Sequence, residues 1–338
     1  MKRTAFVLWL ALISERSPAQ IDTAISPPDS TYYTSYSTKI TARAFLSQKY
    51  TRLNYSNRKE GYSLDYRPNT NLVIGIGATY KWATLNVSHG FNFLNNDPEK
   101  GKTHYFDLQF HGYGTRIQVD GFGQFYNGFF LTPKGAASTP GKFYTRPDIK
   151  VNEIGLSVQY IVNHKRFSFR SAFLQNDWQR RSAGSILVGF ETYGGRIKAD
   201  SVFVPRSLVK GDLSLQELYR SYFELGPNIG YAYTLVIRQH FFLTGALSVS
   251  LDYGFNTSET AITKTWSNGL SSNTFVRFVA GYNSRVDGLS FIYLNNGVNL
   301  TTQTDSHITL NTGNFRFTYT HRFTPSNKEK KFLKKIIK

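Results

Sequence analysis

The sequence predicts an all-β chain, a transmembrane antiparallel up-and-down β-barrel of about 12 strands (about 10–14). Three observations carry this. Runs of about ten residues alternate apolar with polar, the period-two signature of a strand with unlike faces. No helix-period segment separates them, and no run of roughly 18 apolar residues could cross a bilayer as a helix. The apolar faces are also aliphatic in the middle and aromatic at the ends, the layout of a lipid band between aromatic girdles. With 40% hydrophobic residues, 16% aromatic residues and a mean hydropathy of −0.35, the composition suits a barrel, in which only every second strand residue must be apolar.

The chain opens with a segment read as a signal peptide over residues 1–19. Lys2 and Arg3 precede a short apolar stretch, and Ser17 and Ala19 stand at the −3 and −1 positions of a cleavage site. Residues 20–37, rich in Ser, Thr and Pro, read as a periplasmic lead-in. The barrel is expected over 38–323. Its first part, residues 39–66, is irregular: one or two strands, or a segment packed at the barrel mouth.

The clearest hairpin lies at 72–93. Leu72, Ile74, Ile76, Ala78 and Tyr80 face opposite Gly75, Gly77, Thr79 and Lys81, and after a turn near Trp82 come Leu85, Val87, Phe91 and Phe93. The glycines Gly75 and Gly77 read as sites of barrel curvature or close interior packing. Further alternating faces are Phe106, Leu108 and Phe110; Ile117, Val119 and Phe125; Ile154 to Val162; Phe167, Phe169 and Phe173; Ile186, Val188 and Phe190; Phe223 to Leu235; Leu243 to Tyr253; and Val276, Phe278 and Tyr282. Residues 289–300 are ambiguous in parity, which suggests a bulge. The last strand carries Phe315, Phe317, Tyr319 and Phe323 against Arg316, Thr318, Thr320 and Arg322. Its terminal Phe323 fits a strand read by the outer-membrane insertion machinery.

Tight connections are expected at 163–165, 238–239 and 285–288, and long ones at 131–148, 194–221 and 256–272. By parity from a periplasmic C-terminus, the last two are extracellular and 131–148 is periplasmic. Residues 324–338 form a basic periplasmic tail with six Lys against Glu329. It reads as a basic amphipathic helix on a lipid surface or against a partner, or as a solvated tail.

The net charge of +18 is spread along the chain. It points to phosphates of outer-membrane lipid, lipopolysaccharide included, and to protein partners met through loops or tail, rather than to nucleic acid. There is no Cys, which removes disulfides, thiol nucleophiles and Cys-based zinc sites. No cofactor or metal is implied.

Seven His are available, but neither H-E-x-x-H nor G-x-S-x-G occurs. Ser88 and His89 are adjacent, so in a strand they point to opposite faces. The charges expected inside the barrel are Asp107, Asp120, Glu153, Glu191, Glu224 and Asp252, against Arg116, Arg170, Arg277 and Arg316. Their near balance suggests a salt-bridged, narrow lumen, because unpaired buried charge is costly.

Several words resemble, in their order, a family of outer-membrane proteins of Gram-negative Bacteroidota, the domain of unknown function DUF4421. They are Arg146-Pro147-Asp148-Ile149, Lys165-Arg166-Phe167-Ser168, Gln179 to Ser185, Ala199-Asp200-Ser201, Gly226 to Tyr231 and Arg322-Phe323. The resemblance implies an outer-membrane barrel and supplies no reaction. The expected role is therefore non-enzymatic: structural, in assembly, or as a narrow channel. The alternatives are a membrane-embedded lipid hydrolase or deacylase with a His/Ser/Asp rim site, a small-solute porin, and a soluble β-sandwich whose aromatic faces would meet in a core.

Overall fold

The computed structural model describes residues 28–81, 83–91, 94, 97–209, 211–300 and 306–330. The segment 1–19, Trp82, Phe93 and the tail beyond residue 330 lie outside the described residues. Among the described residues there are seventeen strands: β1 (Tyr33–Ser35), β2 (Ile40–Asn57), β3 (Tyr62–Arg67), β4 (Val73–Tyr80), β5 (Ala83–Gly90), β6 (His104–Tyr113), β7 (Ile117–Thr132), β8 (Tyr144–Ile161), β9 (Asp177–Gln179), β10 (Ala183–Lys198), β11 (Glu217–Ile237), β12 (Phe241–Ser250), β13 (Asp252–Thr260), β14 (Lys264–Ser271), β15 (Thr274–Asn283), β16 (Asp287–Leu300) and β17 (Ser306–Phe323). One short helix, α1 (Phe169–Phe173), precedes β9.

All pairings are antiparallel, and a ring closes through ten strands in the order β10-β8-β7-β3-β2-β17-β16-β15-β12-β11. Three pairs of strands act as single staves. β3 and β4 pair successive stretches of β2. β12 and β13 pair successive stretches of β11. β14 continues into β15 across residues 272–273. With β5 and β6 inserted between β4 and β7, and with β1 and β9 apart from the wall, the described residues form twelve staves, within the range of about 10–14 that the sequence predicts. Among the described residues no ladder joins β5 to β6.

Where a strand changes partner, the backbone says how. β7 leaves β6 at Asn127 and takes up β3 at Phe130. Between them Gly128 has φ +94 in a register shift, a conformation only glycine adopts freely. β11 passes from β12 to β13 at Pro227, whose carbonyl accepts from the Leu251 N–H at 3.1 Å. A proline there gives up no ladder donor.

The end that holds Ile40 and Phe323 is called proximal. Apart from residues 162–182, its connections are short: 114–116, 238–240 and 284–286. The distal end carries 58–61, 133–143, 199–216 and 261–263. Residues 131–148 thus share an end with 194–221 and do not oppose them. The error has one source. Phe167, Phe169 and Phe173 do not form a strand: residues 163–167 turn, α1 follows, and the aromatic alternation belongs to a segment packed inside the barrel. One false strand inverts the parity of everything before it. The irregular stretch 39–66 is the 18-residue β2 and the start of β3.

The wall has two zones. In the proximal zone the outward residues are apolar and exposed, such as Ile154, Leu156, Val158, Tyr160 and Val162 on β8 and the strand end beyond it, while Glu153, Ser157 and Gln159 are buried inside. At ~3.3 Å per residue and ~40° tilt, residues 154–162 span roughly 20–25 Å, the height of a barrel's apolar band. In the distal zone the faces exchange character. On β8 the outward Lys150 and Asn152 are exposed, and the inward Ile149 and Val151 are fully buried. The inward residues Leu53, Tyr66, Leu131, Val298 and Leu310 join one distal core. A β-sandwich is excluded: the aromatic faces look outward and do not meet. The ambiguous parity of 289–300 is this exchange and no bulge. β16 runs in unbroken register with both neighbours while its outward side passes from Leu289 and Phe291 to Asn295 and Asn299.

Candidate functional site: a lumen closed at three levels

The interior of the barrel is where polar chemistry collects, and it is filled at three heights. At the proximal mouth, α1 and β9 form a plug, held to the lead-in by the β1–β9 ladder. Phe167 and Phe169 are fully buried, edge to face at 4.9 Å, and Tyr113 stacks on Phe173 at 5.0 Å. The wall grips the plug through polar side chains. Arg322 Nε donates to the Gln175 carbonyl at 2.9 Å, and Asn283 Nδ2 to the Asp177 carbonyl at 3.1 Å. Trp178 Nε1 donates to the Gln239 carbonyl at 2.7 Å.

At mid-height one hydrogen-bonded chain crosses the lumen. His111 Nδ1 lies 2.7 Å from Asp120 Oδ1. Arg277 Nη2 donates to Asp120 Oδ2 at 2.6 Å and to Gln159 Oε1 at 3.2 Å. Gln159 Nε2 donates to Asn228 Oδ1 at 2.8 Å, and Asn228 Nδ2 to Glu191 Oε2 at 2.7 Å. Gln118 joins at Gln159. The side chain of Arg277 is 0% exposed, and its guanidinium lies 3.7 Å from the Phe275 ring centre. Its other aromatic neighbour is Phe169 of the plug, so plug and network pack as one body.

At the distal level the segment after β10 folds over the core. Ala199, Phe203 and Val204 are buried within it. Tyr66 donates to the Phe203 carbonyl at 2.5 Å. Arg146, bidentate to Asp148 at 2.8 Å through Nε and Nη2, also donates to the Val202 carbonyl at 2.9 Å and the Ser201 carbonyl at 3.1 Å.

The ten charges singled out from sequence are only partly brought together. Asp120 and Arg277 pair with each other. Asp107 pairs with Lys49 at 2.9 Å and accepts from Tyr126 at 2.7 Å. Glu153 accepts from Tyr222 at 2.8 Å, Glu224 from Ser271 at 2.6 Å, and Asp252 from Asn273 at 2.7 Å. With Glu191 these acids line one wall, β8 to β13, and are held by hydroxyl and amide donors. Arg316 sits on β17, across the ring in strand order, 4.6 Å from the Phe45 ring centre. Gly75 makes room for that ring, since a Cβ there would lie 2.2 Å from Phe45 Cζ. Two of the ten are not interior wall charges. Arg170 belongs to α1, 3.7 Å from Asp177, and Arg116 lies in the turn before β7. Parity assigns a face, but not a height, an azimuth or a departure from the strand. The residues missed are the neutral links Gln118, Gln159 and Asn228, together with Lys49 and His111. A polar residue at an inward position is their only sequence mark.

The His and acid pairs complete the search for chemistry. His321 Nδ1 lies 2.7 Å from Asp287 Oδ1, which also accepts from Tyr319 at 2.7 Å. The trio sits at the proximal rim, beside an outer-face groove of about 510 Å³ lined by Ala42, Ala44, Ile76 and Leu85. No described Ser or Thr is hydrogen-bonded to this His. Among the described residues no His/Asp/Glu cluster fits a metal ion.

Solved structures similar to this chain include the outer membrane protease OmpT of Escherichia coli (12% identity, 84% of this chain and 97% of that one, TM-score 0.37). Also similar are the COG4313 outer membrane channel of Pseudomonas putida F1 (10%, 88% and 100%, TM-score 0.27) and the toluene transporter TodX of P. putida (6%, 91% and 93%, TM-score 0.25). These likenesses are too distant to carry an activity across. No functionally curated protein matches the sequence.

The words that resemble a family fall on the closures just described. Arg146 meets Ser201 at the distal cover, and Gln179 Nε2 donates to the Arg166 carbonyl at 2.6 Å in the plug. Pro227 marks a change of strand partner, and Arg322 grips the plug. The sequence matches the family described as Domain of unknown function (DUF4421) over residues 27–323, and the chain belongs to that family.

Proposed function

We propose that this protein is a non-enzymatic outer-membrane barrel, closed to solutes, with a structural or assembly role. The carrying observation is the lumen filled by plug, polar network and distal cover. In this reading the closed proximal end faces the periplasm with the C-terminus and basic tail, and the distal half stands on the cell surface. Phe323 ends the strand that the insertion machinery reads. The β13–β14 ribbon, with exposed Ile262, Trp266 and Leu270, offers a protein partner an apolar surface. The porin and narrow-channel readings need a path past Arg277 and the plug, and the burial of Arg277 and Asp120 among the described residues speaks against one.

Reconstitution into planar bilayers tests the proposal. The full chain should give no stable conductance, and a large steady one would sink it. A lipid hydrolase is the second reading, favoured by His321, Asp287 and Tyr319 beside the rim groove. Among the described residues no Ser or Thr is hydrogen-bonded to His321 to serve as nucleophile. The purified protein should release no fatty acid from phospholipid micelles; release that is lost in His321→Ala would reverse the choice.

A further inference from the structure

The belt has a distal border, and one cleft sits on it. On β17 the outward Phe315 is the last apolar residue before Gly313, Asn311 and Thr309; on β2 its register partner is Gln48, with Leu46 below and Tyr50 and Arg52 above. Here β3 breaks off and the chain crosses through 68–72 to β4, which opens a cleft of about 210 Å³ on the outer face. Its lining joins aromatic rings to cations: Tyr50, Phe130 and Phe315 with Arg52, Arg67 and Lys100. Tyr50 packs on Phe315 at 5.7 Å, and Arg52 lies 5.4 Å from the Tyr50 ring centre. Lys100 lies 5.7 Å from the Phe130 ring centre and 3.2 Å from Asp97. Arg67 is paired with Asp65. Arg52 has no carboxylate partner among the described residues. Asp97 accepts from the Glu99 N–H at 3.1 Å, and its ion pair with Lys100 keeps the ammonium beside the cleft.

We infer that this cleft binds a phosphorylated glycolipid of the lipid A type from the leaflet around the distal border of the belt. Its acyl chains would lie against Phe315, Phe317 and the belt below, and its phosphates would meet Arg52 and Lys100. The chemistry fits in two ways. Guanidinium and ammonium groups beside an apolar floor suit a ligand that is anionic at one end and oily at the other. The rings under the cations exclude water from one side and keep the charges at headgroup height. A free phosphate would use the cations and leave the apolar floor uncovered. The identity of the lipid rests on the outward placement of the distal half proposed above. That placement is tested separately, by labelling Ser138→Cys in the otherwise Cys-free chain on intact cells with a membrane-impermeant maleimide.

The test is lipid binding to the full chain in mild detergent, read by native mass spectrometry against lipid A, dephosphorylated lipid A, phosphatidylglycerol and inorganic phosphate. Lipid A should bind the unmodified protein at least tenfold more tightly than its dephosphorylated form. R52Q/K100Q should lose about tenfold, and K150Q, on the outer face of β8 away from the cleft, should lose nothing. Equal binding of the dephosphorylated lipid overturns the proposal without any variant, as does displacement by millimolar inorganic phosphate. Preference for phosphatidylglycerol, or full retention by a folded R52Q/K100Q, also overturns it. If the double variant fails to fold, R52Q alone should show a loss, and its absence is equally decisive.

Discussion

Along β8, Lys150 and Asn152 face outward above Ile154, Leu156 and Val158, while Ile149 and Val151 face inward above Glu153 and Ser157. One strand thus belongs to two kinds of barrel. Its proximal half is oily outside and polar inside, its distal half the reverse. The same exchange occurs on β2 near Gln48 and on β17 near Phe315, which are register partners, and on β10 at Gly194 to Arg196, which pair Ile154 and Asn152 of β8. The solvent outside decides the difference. In lipid the outer surface gains nothing from polarity, and the hydrogen-bonding groups must find partners within. In water the outer surface must be polar, and burial of apolar groups supplies the driving force. The halves should therefore respond oppositely to substitution.

The largest effect is expected in the proximal lumen. Arg277→Met leaves Asp120 buried beside His111 without its cation, and breaking such a pair costs about 3–5 kcal/mol. Urea unfolding in lipid vesicles, followed by Trp fluorescence, measures it, and adding Asp120→Asn should recover part of the loss. An undiminished midpoint for Arg277→Met would mean that the mid-height network does not hold the barrel.

In the distal half the corresponding loss is apolar. Phe203→Ala empties a fully buried site in the cover and should cost up to about 3–5 kcal/mol, less whatever the loop regains by opening to water. Protease cleavage within 199–216 should rise in this variant and stay unchanged in Arg277→Met. The comparison sharpens on the outer surface. Leu247→Arg, in the belt, should cost about 2–4 kcal/mol. Asn152→Arg, outward and exposed on β8 just above the exchange, should change stability by no more than about 0.5 kcal/mol. Equal costs at the two positions would remove the boundary between the zones.

Much of the proximal half was legible in the sequence. Phe315, Phe317 and Tyr319 alternate with Arg316 and Thr318 without interruption, and a period of two maps directly onto two faces. The distal half kept the period and exchanged the faces, so 289–300 read as ambiguous and strands of up to 21 residues read as about ten. The plug was read as a strand, because Phe167, Phe169 and Phe173 alternate correctly for the wrong reason. Two of these rings pack within α1 and the third just before it, against Tyr113 and Arg277. The pairing of the candidate charges was not legible, since partners such as Arg277 and Asp120 stand 157 residues apart.

By itself, then, the sequence determined the strand alternation, the oily belt with its aromatic ends and the all-β barrel class. These follow from local spacing and from the one-sided demand of lipid. Only the tertiary structure decided which end each loop occupies, where each strand exchanges its faces, that α1, the Arg277 network and Phe203 pack inside the barrel, and that Arg52, Lys100 and Phe315 converge on one cleft. Those features depend on registers and distant contacts, and a period of two carries no information about either.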